Sequence, residues 1–230
     1  MNFDFERGEI LLVSKPCQWT SFDVVNFVRN VIKTNLGIKK IKIGHAGTLD
    51  PLASGLLILC TGAMTKQIEQ FQDLDKEYTG TFILGATTPS FDLETIIDHT
   101  YPTEGITEEK VNKAIFLLTG AYDQVPPVFS AKKIEGRRAY KYARSKSEIE
   151  LKPHRITITA FDLTRFELPE VDFRISCSKG TYIRSVARDL GSNLGCGAYL
   201  AALCRTRIGH YHLRDAWEPE ELKKVINNYL

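Results

Sequence analysis

The segment that decides the fold reads Gly44-His45-Ala46-Gly47-Thr48-Leu49-Asp50-Pro51-Leu52-Ala53-Ser54-Gly55. Two short apolar segments, Ile41 to Ile43 and Leu56 to Cys60, flank it and have the length and composition of buried strands. Three glycines and a proline between them favour an irregular, sharply turning loop. The sequence therefore predicts two strands joined by a loop that presents one carboxylate, Asp50.

The setting of Asp50 has two interpretations. A proline directly after an aspartate in a glycine-rich loop restricts the backbone and fixes one carboxylate, as a catalytic acid requires. Leu-Asp-Pro is also an ordinary turn, in which the aspartate accepts backbone hydrogen bonds. The loop by itself leaves both interpretations open.

The segments around this loop predict helices and strands without regular β-α-β alternation. Thr20-Ser21-Phe22-Asp23 has the pattern of a capping box that opens a helix, and Val171 to Ser178 alternates like a strand. We expect a helix from Thr181 to Leu190 and a second, short one from Tyr199 to Cys204. The fold class predicted is α+β, with a mixed, largely antiparallel sheet core and flanking helices. We expect one catalytic domain over residues 1–230, with a short C-terminal helical extension.

Composition places this chain among folded, cytoplasmic proteins. With 230 residues and 43% hydrophobic composition, the chain can bury a substantial core. Its first ten residues contain three acids, which is not the pattern of a secretory signal, and no apolar run is long enough for a membrane span. The five cysteines are widely spaced and odd in number, which favours reduced thiols.

Charge is unevenly distributed along the chain. Residues 132–155 carry nine Lys and Arg against three Glu, whereas residues 67–110 carry ten acids against two Lys. A basic segment of this kind attracts a polyanion, because neutralisation of phosphates by Lys and Arg dominates nucleic-acid affinity. A solvated basic surface gives the same pattern, and charge alone favours that simpler interpretation.

Several reaction classes lose support because their motifs are absent. The sequence contains no phosphate-binding lysine loop, no G-x-G-x-x-G, no nucleophile elbow and no H-E-x-x-H. His210 and His212 alternate as on one strand face, but no acid or thiol at ligand spacing accompanies them. We therefore predict no metal site.

The glycine-rich loop resembles the catalytic loop of the TruB-type pseudouridine synthases, the enzymes that modify a uridine of the tRNA T-loop. Four further parts of the chain agree with that family in the same order. They are Lys15-Pro16 with Thr20-Ser21; Lys76-Glu77-Tyr78; Val125-Pro126-Pro127 followed by Ser130-Ala131-Lys132; and Lys179-Gly180-Thr181-Tyr182-Ile183-Arg184 with Gly195-Cys196-Gly197-Ala198. Together the matches cover nearly the whole chain.

The resemblance implies the pseudouridine synthase fold and a set of site residues. Asp50 matches the catalytic aspartate, Arg184 the arginine that pairs with it, and Tyr78 the aromatic residue that stacks on the target base. Leu203 matches the residue on the other wall of the base pocket, and His45 the side chain that fills the space left by extruded bases. For Tyr78 and Leu203, core packing is an equally supported alternative. The RNA is then gripped by Lys132, Arg137, Arg138, Lys141 and Arg205.

The same resemblance implies a reaction and a partner. The T-loop uridine at tRNA position 55 is flipped out and isomerised to pseudouridine without a cofactor or a metal ion, and the partner is the T-arm of tRNA, with no obligate protein partner. Two alternatives remain: a non-catalytic RNA-binding or tRNA-folding protein on the same scaffold, and a hydrolase that pairs Asp50 with another acid. An intact Asp50 segment counts against the first, and no motif supplies the second carboxylate.

This sequence departs from the family pattern at three places. Gln18 stands where the family usually has glycine, which puts the local turn geometry in doubt. Thr88-Pro89-Ser90-Phe91-Asp92 replaces an acid-rich turn, which weakens the case for a role of Asp92. Glu218 to Leu230 predicts one helix, so we expect no C-terminal PUA domain, a tRNA-binding module that many bacterial members carry.

Overall fold

The computed structural model describes residues 3–38, 40–128, 133–134, 137–138 and 151–228. The helices are α1 (Ser21–Leu36), α2 (Ile68–Asp73), α3 (Glu108–Leu118), α4 (Ile183–Leu194) and α5 (Pro219–Asn227), with 3-10 helices at Gly62–Gln67 and Leu213–Asp215. The strands are β1 (Ile10–Lys15), β2 (Ile43–Ala46), β3 (Ser54–Thr61), β4 (Lys76–Leu84), β5 (Ala86–Thr87), β6 (His99–Thr100), β7 (Gly120–Gln124), β8 (Lys133–Ile134), β9 (Arg137–Arg138), β10 (His154–Glu167), β11 (Glu170–Cys177), β12 (Ala198–Ile208) and β13 (Tyr211–His212).

The chain folds into two compact units. The first comprises Met1–Tyr78 and Leu203–Leu230, and the second comprises Thr79–Ala202. The boundaries fall inside β4 and β12, so each of these strands begins in one unit and ends in the other.

Strand β3 is the centre of the first unit. It pairs antiparallel with β1 from Ile10↔Cys60 to Lys15↔Gly55 and antiparallel with β2 on its other side, and it pairs parallel with β12 at Arg205↔Gly55. Seven of its eight residues are buried, which explains its continuous apolar sequence. Four valines and one isoleucine of α1 and two apolar residues of α5 cover Leu57 and Leu59. The Asp50 loop thus connects two strands of a well-packed sheet.

Antiparallel pairing dominates the second unit. β10 pairs with β11 in a hairpin that closes at Glu167↔Glu170, and its first residues pair with β7 from His154↔Gln124 to Ile158↔Gly120. Phe82 of β4 and Phe173 of β11 stack with their ring centroids 4.0 Å apart. Helices α3 and α4 pack against each other, and α3 packs on β10. The predicted α+β class with a mixed, largely antiparallel sheet is confirmed.

Two predicted elements were wrong. The strand expected from Ile41 to Ile43 begins only at Ile43 and ends at Ala46, so the first three residues of the glycine-rich segment belong to β2. We expected a short helix from Tyr199 to Cys204, but this segment lies in β12. Its alanines and leucines favour a helix locally, whereas the pairing of Cys204 with Ser54 of β3 and the burial of Tyr199 and Leu200 favour the strand. Tertiary contacts therefore override propensity here.

Helix α1 begins as its sequence predicts. Thr20 Oγ1 accepts from the amide of Asp23, and the Asp23 carboxylate accepts from the amide of Thr20, which completes a capping box. In the described ranges, no helix is long and apolar enough to cross a membrane.

Candidate active site

Asp50 lies in the loop of residues 47–53, which joins β2 to β3. The amide of Ala53 donates to the Asp50 carbonyl at 3.1 Å and closes a tight turn behind the carboxylate. The residue itself is half-buried, whereas its neighbour Leu49 is buried. Asp50 therefore keeps partial access to solvent as a residue, on a loop whose backbone is internally bonded.

The segment between β1 and α1 anchors this loop from one side. Cys17 Sγ donates to the Leu52 carbonyl at 3.3 Å, and the amide of Gln18 donates to the Pro51 carbonyl at 2.8 Å. The hydroxyl of Ser21 accepts from the Leu49 amide at 2.9 Å and lies 3.2 Å from the Leu49 carbonyl. Because Leu49, Pro51 and Leu52 are all hydrogen-bonded to this segment, the backbone of Asp50 between them has little freedom to move.

Lys15 extends this anchoring with a buried charge. Its side chain is fully buried at the end of β1, and Nζ donates to the carbonyls of Pro16 at 2.8 Å, Trp19 at 2.6 Å and Pro51 at 3.3 Å. Burial lowers the pKa of the Lys15 ammonium from 10.5 to about 8, and the nearby charge of Asp50 is among those that oppose this shift. A cation is therefore held close to the Asp50 carboxylate.

Arg205 of β12 anchors the loop from the other side. Its guanidinium donates from Nη2 to the Gly47 carbonyl at 3.1 Å and from Nε to the Leu56 carbonyl at 2.8 Å. The residue is 1% exposed, so this guanidinium is not placed to reach a phosphate, contrary to the role implied by the family resemblance. Its two bonds instead fix both ends of the connection between β2 and β3.

The close approach of β12 also explains a glycine in the loop motif. Gly55 has a φ of 106°, and a Cβ there would lie 2.4 Å from the Arg205 carbonyl oxygen and 2.6 Å from its amide nitrogen. Only glycine accommodates both the conformation and the contact. Gly55, the last glycine of the motif, therefore allows the backbone of Arg205 to approach β3 closely.

His45, Tyr78 and Leu203 also belong to the first unit. His45 on β2 is half-buried, and burial, followed by the charge of Arg205, lowers the pKa of its imidazole, which favours the neutral ring. Tyr78 on β4 is 8% exposed. Leu203 is half-buried and two residues before Arg205, so both side chains lie on the same face of β12.

Arg184 belongs to the second unit and is held by the turn at residues 88–92. Its guanidinium donates from Nη1 to the Ser90 carbonyl at 3.3 Å, and its Nε lies 3.5 Å from Oδ2 of Asp92. Both side chains of this ion pair are less than a tenth exposed. Asp92, whose role the sequence seemed to weaken, is therefore the buried counter-ion of Arg184.

The same turn contacts the next arginine of α4. Phe91 has a φ of 62°, a left-handed conformation that is uncommon for an aromatic residue, and its ring lies 5.3 Å from the guanidinium carbon of Arg188. The carboxylate of Asp189 accepts from Nε and Nη2 of Arg188. One turn of chain thus contacts two arginines that are a helical turn apart.

The structure describes only part of the basic segment that is expected to bind RNA. Lys132 and Lys141 lie outside the described residues. Arg137 and Arg138 form β9, whose backbone pairs with β8, but their side chains lie outside the described part. Their predicted contacts stay predictions.

Sequence reasoning assigned no role to Lys15 and Ser21, which anchor the Asp50 loop, or to Asp92, which pairs with Arg184. The Lys-Pro and Thr-Ser pairs did appear among the family matches, which was a usable signal for the first two. Nothing local distinguished Asp92. Across the described ranges, no group of three or more His, Cys, Asp and Glu is arranged to hold a metal ion.

Family models match the chain over most of its length. The N-terminal domain of the TruB family of pseudouridylate synthases matches residues 33–183, and the C-terminal domain of tRNA pseudouridylate synthase B matches residues 184–229. Two similar curated relatives are tRNA pseudouridine synthase B of Phocaeicola vulgatus and of Flavobacterium johnsoniae. The first is 52% identical and covers 97% of this chain and 99% of its own length; the second is 50% identical and covers 93% of each.

Solved structures agree on the fold. A chain from an H/ACA RNP bound to a substrate RNA covers 96% of this chain with a TM-score of 0.68 and 22% identity. A chain from a Cbf5-Nop10-Gar1 complex covers 96% with a TM-score of 0.70 and 22% identity. This chain spans about half the length of those solved chains, 53% and 54%. At this identity the likeness concerns the fold alone.

Proposed function

Because the chain belongs to the TruB family of pseudouridylate synthases and isomerises uridine in tRNA to pseudouridine, we propose that its target is a T-loop uridine and that Asp50 is its catalytic carboxylate. The observation that carries the assignment is the double anchoring of the Asp50 loop, from Lys15 and Ser21 on one side and Arg205 on the other. A loop held in this way preorganises one carboxylate for a reacting group.

The reaction rearranges bonds without adding or removing atoms. The glycosidic bond between C1′ of the ribose and N1 of uracil breaks, the ring turns, and a bond forms between C1′ and C5. The proton lost from C5 is balanced by a proton gained at N1, so no oxidant or reductant is needed. An ionised aspartate, with an ordinary pKa of about 3.9, is nucleophilic at neutral pH without a separate base.

We assign Arg184 to the Asp50 carboxylate as its counter-ion. A guanidinium that is 4% exposed is costly unless anionic or carbonyl oxygens surround it, and Ser90 and Asp92 supply two. The planar fork of arginine can bind a further carboxylate while keeping these partners. In this role Arg184 fixes the rotamer of Asp50.

Tyr78, Leu203 and His45 are proposed to hold the flipped nucleotide. A uracil removed from its stack loses contacts with its neighbours, and an aromatic face restores about 1–3 kcal/mol of that loss. Tyr78 supplies this face and Leu203 the opposite wall. His45, whose imidazole pKa is lowered, is proposed to enter the RNA stem-loop as a neutral ring and to occupy the space left by the extruded bases.

The basic segment of residues 132–155 is proposed to bind the T-arm through its phosphates. Lys132, Arg137, Arg138 and Lys141 supply four of its nine positive charges. Such contacts position a stem-loop without reading its bases, and we propose no protein partner for this step. Because the substrate is tRNA, we also propose that the protein is cytoplasmic.

The decisive experiment uses unmodified tRNA and the purified protein. We expect mass analysis to find pseudouridine at the T-loop uridine, and Asp50→Asn to abolish its formation while tRNA binding persists. Asp75→Asn, at an exposed aspartate, is the matched control and should retain full activity. Conversion by Asp50→Asn at the parental rate would remove Asp50 from the reaction, and modification of a different uridine would correct the target.

A further inference from the structure

Gln124, the last residue of β7, uses its whole side-chain amide inside the second unit. The residue is 1% exposed, and Oε1 accepts from the amide of Tyr182 at 2.9 Å. Nε2 donates to the carbonyl of the same Tyr182 at 3.2 Å and to the hydroxyl of Tyr122 at 3.1 Å. Since one side of the amide meets a donor and the other an acceptor, only this orientation satisfies every bond.

The residue that Gln124 grips is the N-cap of α4. Tyr182 precedes the first helical residue, Ile183, and has no side-chain capping bond of its own. Helix starts leave backbone groups without partners, so an outside side chain that bonds the N-cap fixes where the helix begins. Ser185, one position after Arg184, donates its hydroxyl to the Val125 carbonyl at 2.9 Å and adds a second anchor.

Arg184 lies between these two anchors, as the second residue of α4. The position of a guanidinium depends on the backbone that carries it. The Arg184 guanidinium keeps its contacts with the Ser90 carbonyl and the Asp92 carboxylate only while that backbone stays in place. We propose that Gln124 is a positioning residue of the reaction: by pairing with both backbone groups of Tyr182 it sets the start of α4 and, through it, the place of the Arg184 guanidinium. This inference rests on the role proposed above for Arg184.

Glutamate at this position provides a chemical test, because it has the shape of glutamine but can donate a hydrogen bond only when it is protonated. An ionised carboxylate still accepts from the Tyr182 amide, but its second oxygen faces the Tyr182 carbonyl and repels it. A protonated carboxyl, which burial at this position favours, can donate to that carbonyl and restores the pair. A positioning defect in Gln124→Glu should therefore be relieved by acid, and a packing defect should not.

Other titratable and charged groups near this pair require a reference at each pH. Tyr122 and the ion pair of Arg188 with Asp189 lie on the strand and the helix that Gln124 joins, and His154 packs edge-on against the Tyr182 ring at 6.0 Å between centroids. All of these groups are present in the parent protein as well. The quantity to compare is thus the ratio of variant to parent at the same pH.

The experiment measures single-turnover pseudouridine formation at saturating tRNA. We expect Gln124→Glu to lower the rate about tenfold at pH 8, with a tRNA Kd within about twofold of the parent, and to regain at least about threefold relative to the parent at pH 6. Gln124→Met should stay slow at both pH values. Tyr122→Phe, which removes only the third bond of the amide, should stay within about twofold of the parent. Equal losses in Tyr122→Phe and Gln124→Glu, or no recovery in acid, would overturn the proposal.

A double-variant cycle separates this inference from the proposed function. In an Arg184→Lys background, Gln124→Glu should cost less than about threefold, because both changes act on one guanidinium. A full additional loss would show that Gln124 acts elsewhere, whereas an Arg184→Lys protein with parental rate would contradict the role of Arg184 itself. If Gln124→Glu does not fold, Ser185→Ala tests the second anchor of the same turn. A slower rate with unchanged Kd supports the inference, and a parental rate overturns it.

Discussion

The guanidinium of Arg205 donates to the carbonyl of Gly47 at 3.1 Å, across 158 residues of sequence. Together with the bond from Nε to Leu56, this contact ties β12 to the start of the Asp50 loop and to β3, the strand that follows the loop. The rigidity of the loop therefore depends on a strand that is distant in sequence.

Replacing Arg205 separates loop anchoring from phosphate binding. We expect Arg205→Lys to slow single-turnover conversion about 10- to 100-fold, because lysine cannot bond both carbonyls and the carboxylate loses its fixed place. A second variant, Arg205→Gln, also removes the charge: the salt dependence of tRNA binding should not change, whereas loss of a phosphate contact would lower its slope by about 1. Arg214→Lys and Arg214→Gln, at an exposed arginine, are the controls for the rate and should match the parent. A reduced salt slope for Arg205→Gln would restore the phosphate role.

Asp92 is expected to matter through Arg184. Asp92→Asn removes the buried counter-ion, so the Arg184 guanidinium can shift. We expect the rate of pseudouridine formation to fall by up to about 10-fold and the free energy of unfolding to fall by up to about 3 kcal/mol. Glu94→Gln, two residues away on the surface, should have neither effect. Rate measurements and urea unfolding of both variants check this, and a parental rate for Asp92→Asn would contradict it.

Lys15 makes stability depend on pH in a defined direction. The folded-state pKa is about 8 and the ordinary value is 10.5, so between these values the unfolded chain holds a proton that the folded chain has released. Raising the pH through this window therefore favours the folded state, by up to about 3 kcal/mol from this one group. The stability of the parent relative to Lys15→Met should rise from pH 8 to pH 10.5 in urea unfolding. Parallel pH curves for the two proteins would refute the shift.

Gln18 offers a stabilising change. Its φ of 70° is left-handed, which costs a residue with a Cβ about 1–2 kcal/mol, and its side chain is exposed. Gln18→Gly should remove this cost, partly offset by the larger entropy of the unfolded chain, for a net gain of about 0.5–1 kcal/mol. Gln18→Ala keeps the Cβ and should give no gain. Thermal unfolding of the three proteins compares them, and an equal shift for both variants would attribute the effect to the side chain.

Local sequence features were sufficient to identify several elements. The Thr20 to Asp23 pattern gave the capping box, and the alternation in residues 171–178 gave β11, because both signals depend on neighbours a few residues apart. The Asp50 loop also joins two strands as expected, but the first of them is Ile43–Ala46 and not Ile41 to Ile43. Local features failed at Tyr199 to Cys204, where pairing with β3 outweighs helix propensity.

By itself, the sequence determined the Asp50 loop, its family and the α+β class. Only the tertiary structure decided that Arg205 is buried against Gly47 and Leu56, that Asp92 is the counter-ion of Arg184, and that Gln124 grips the N-cap of α4. The physical reason is that propensity and periodicity describe how a chain behaves next to itself. The partner of a buried polar group, by contrast, is chosen by the packing of segments far apart in sequence.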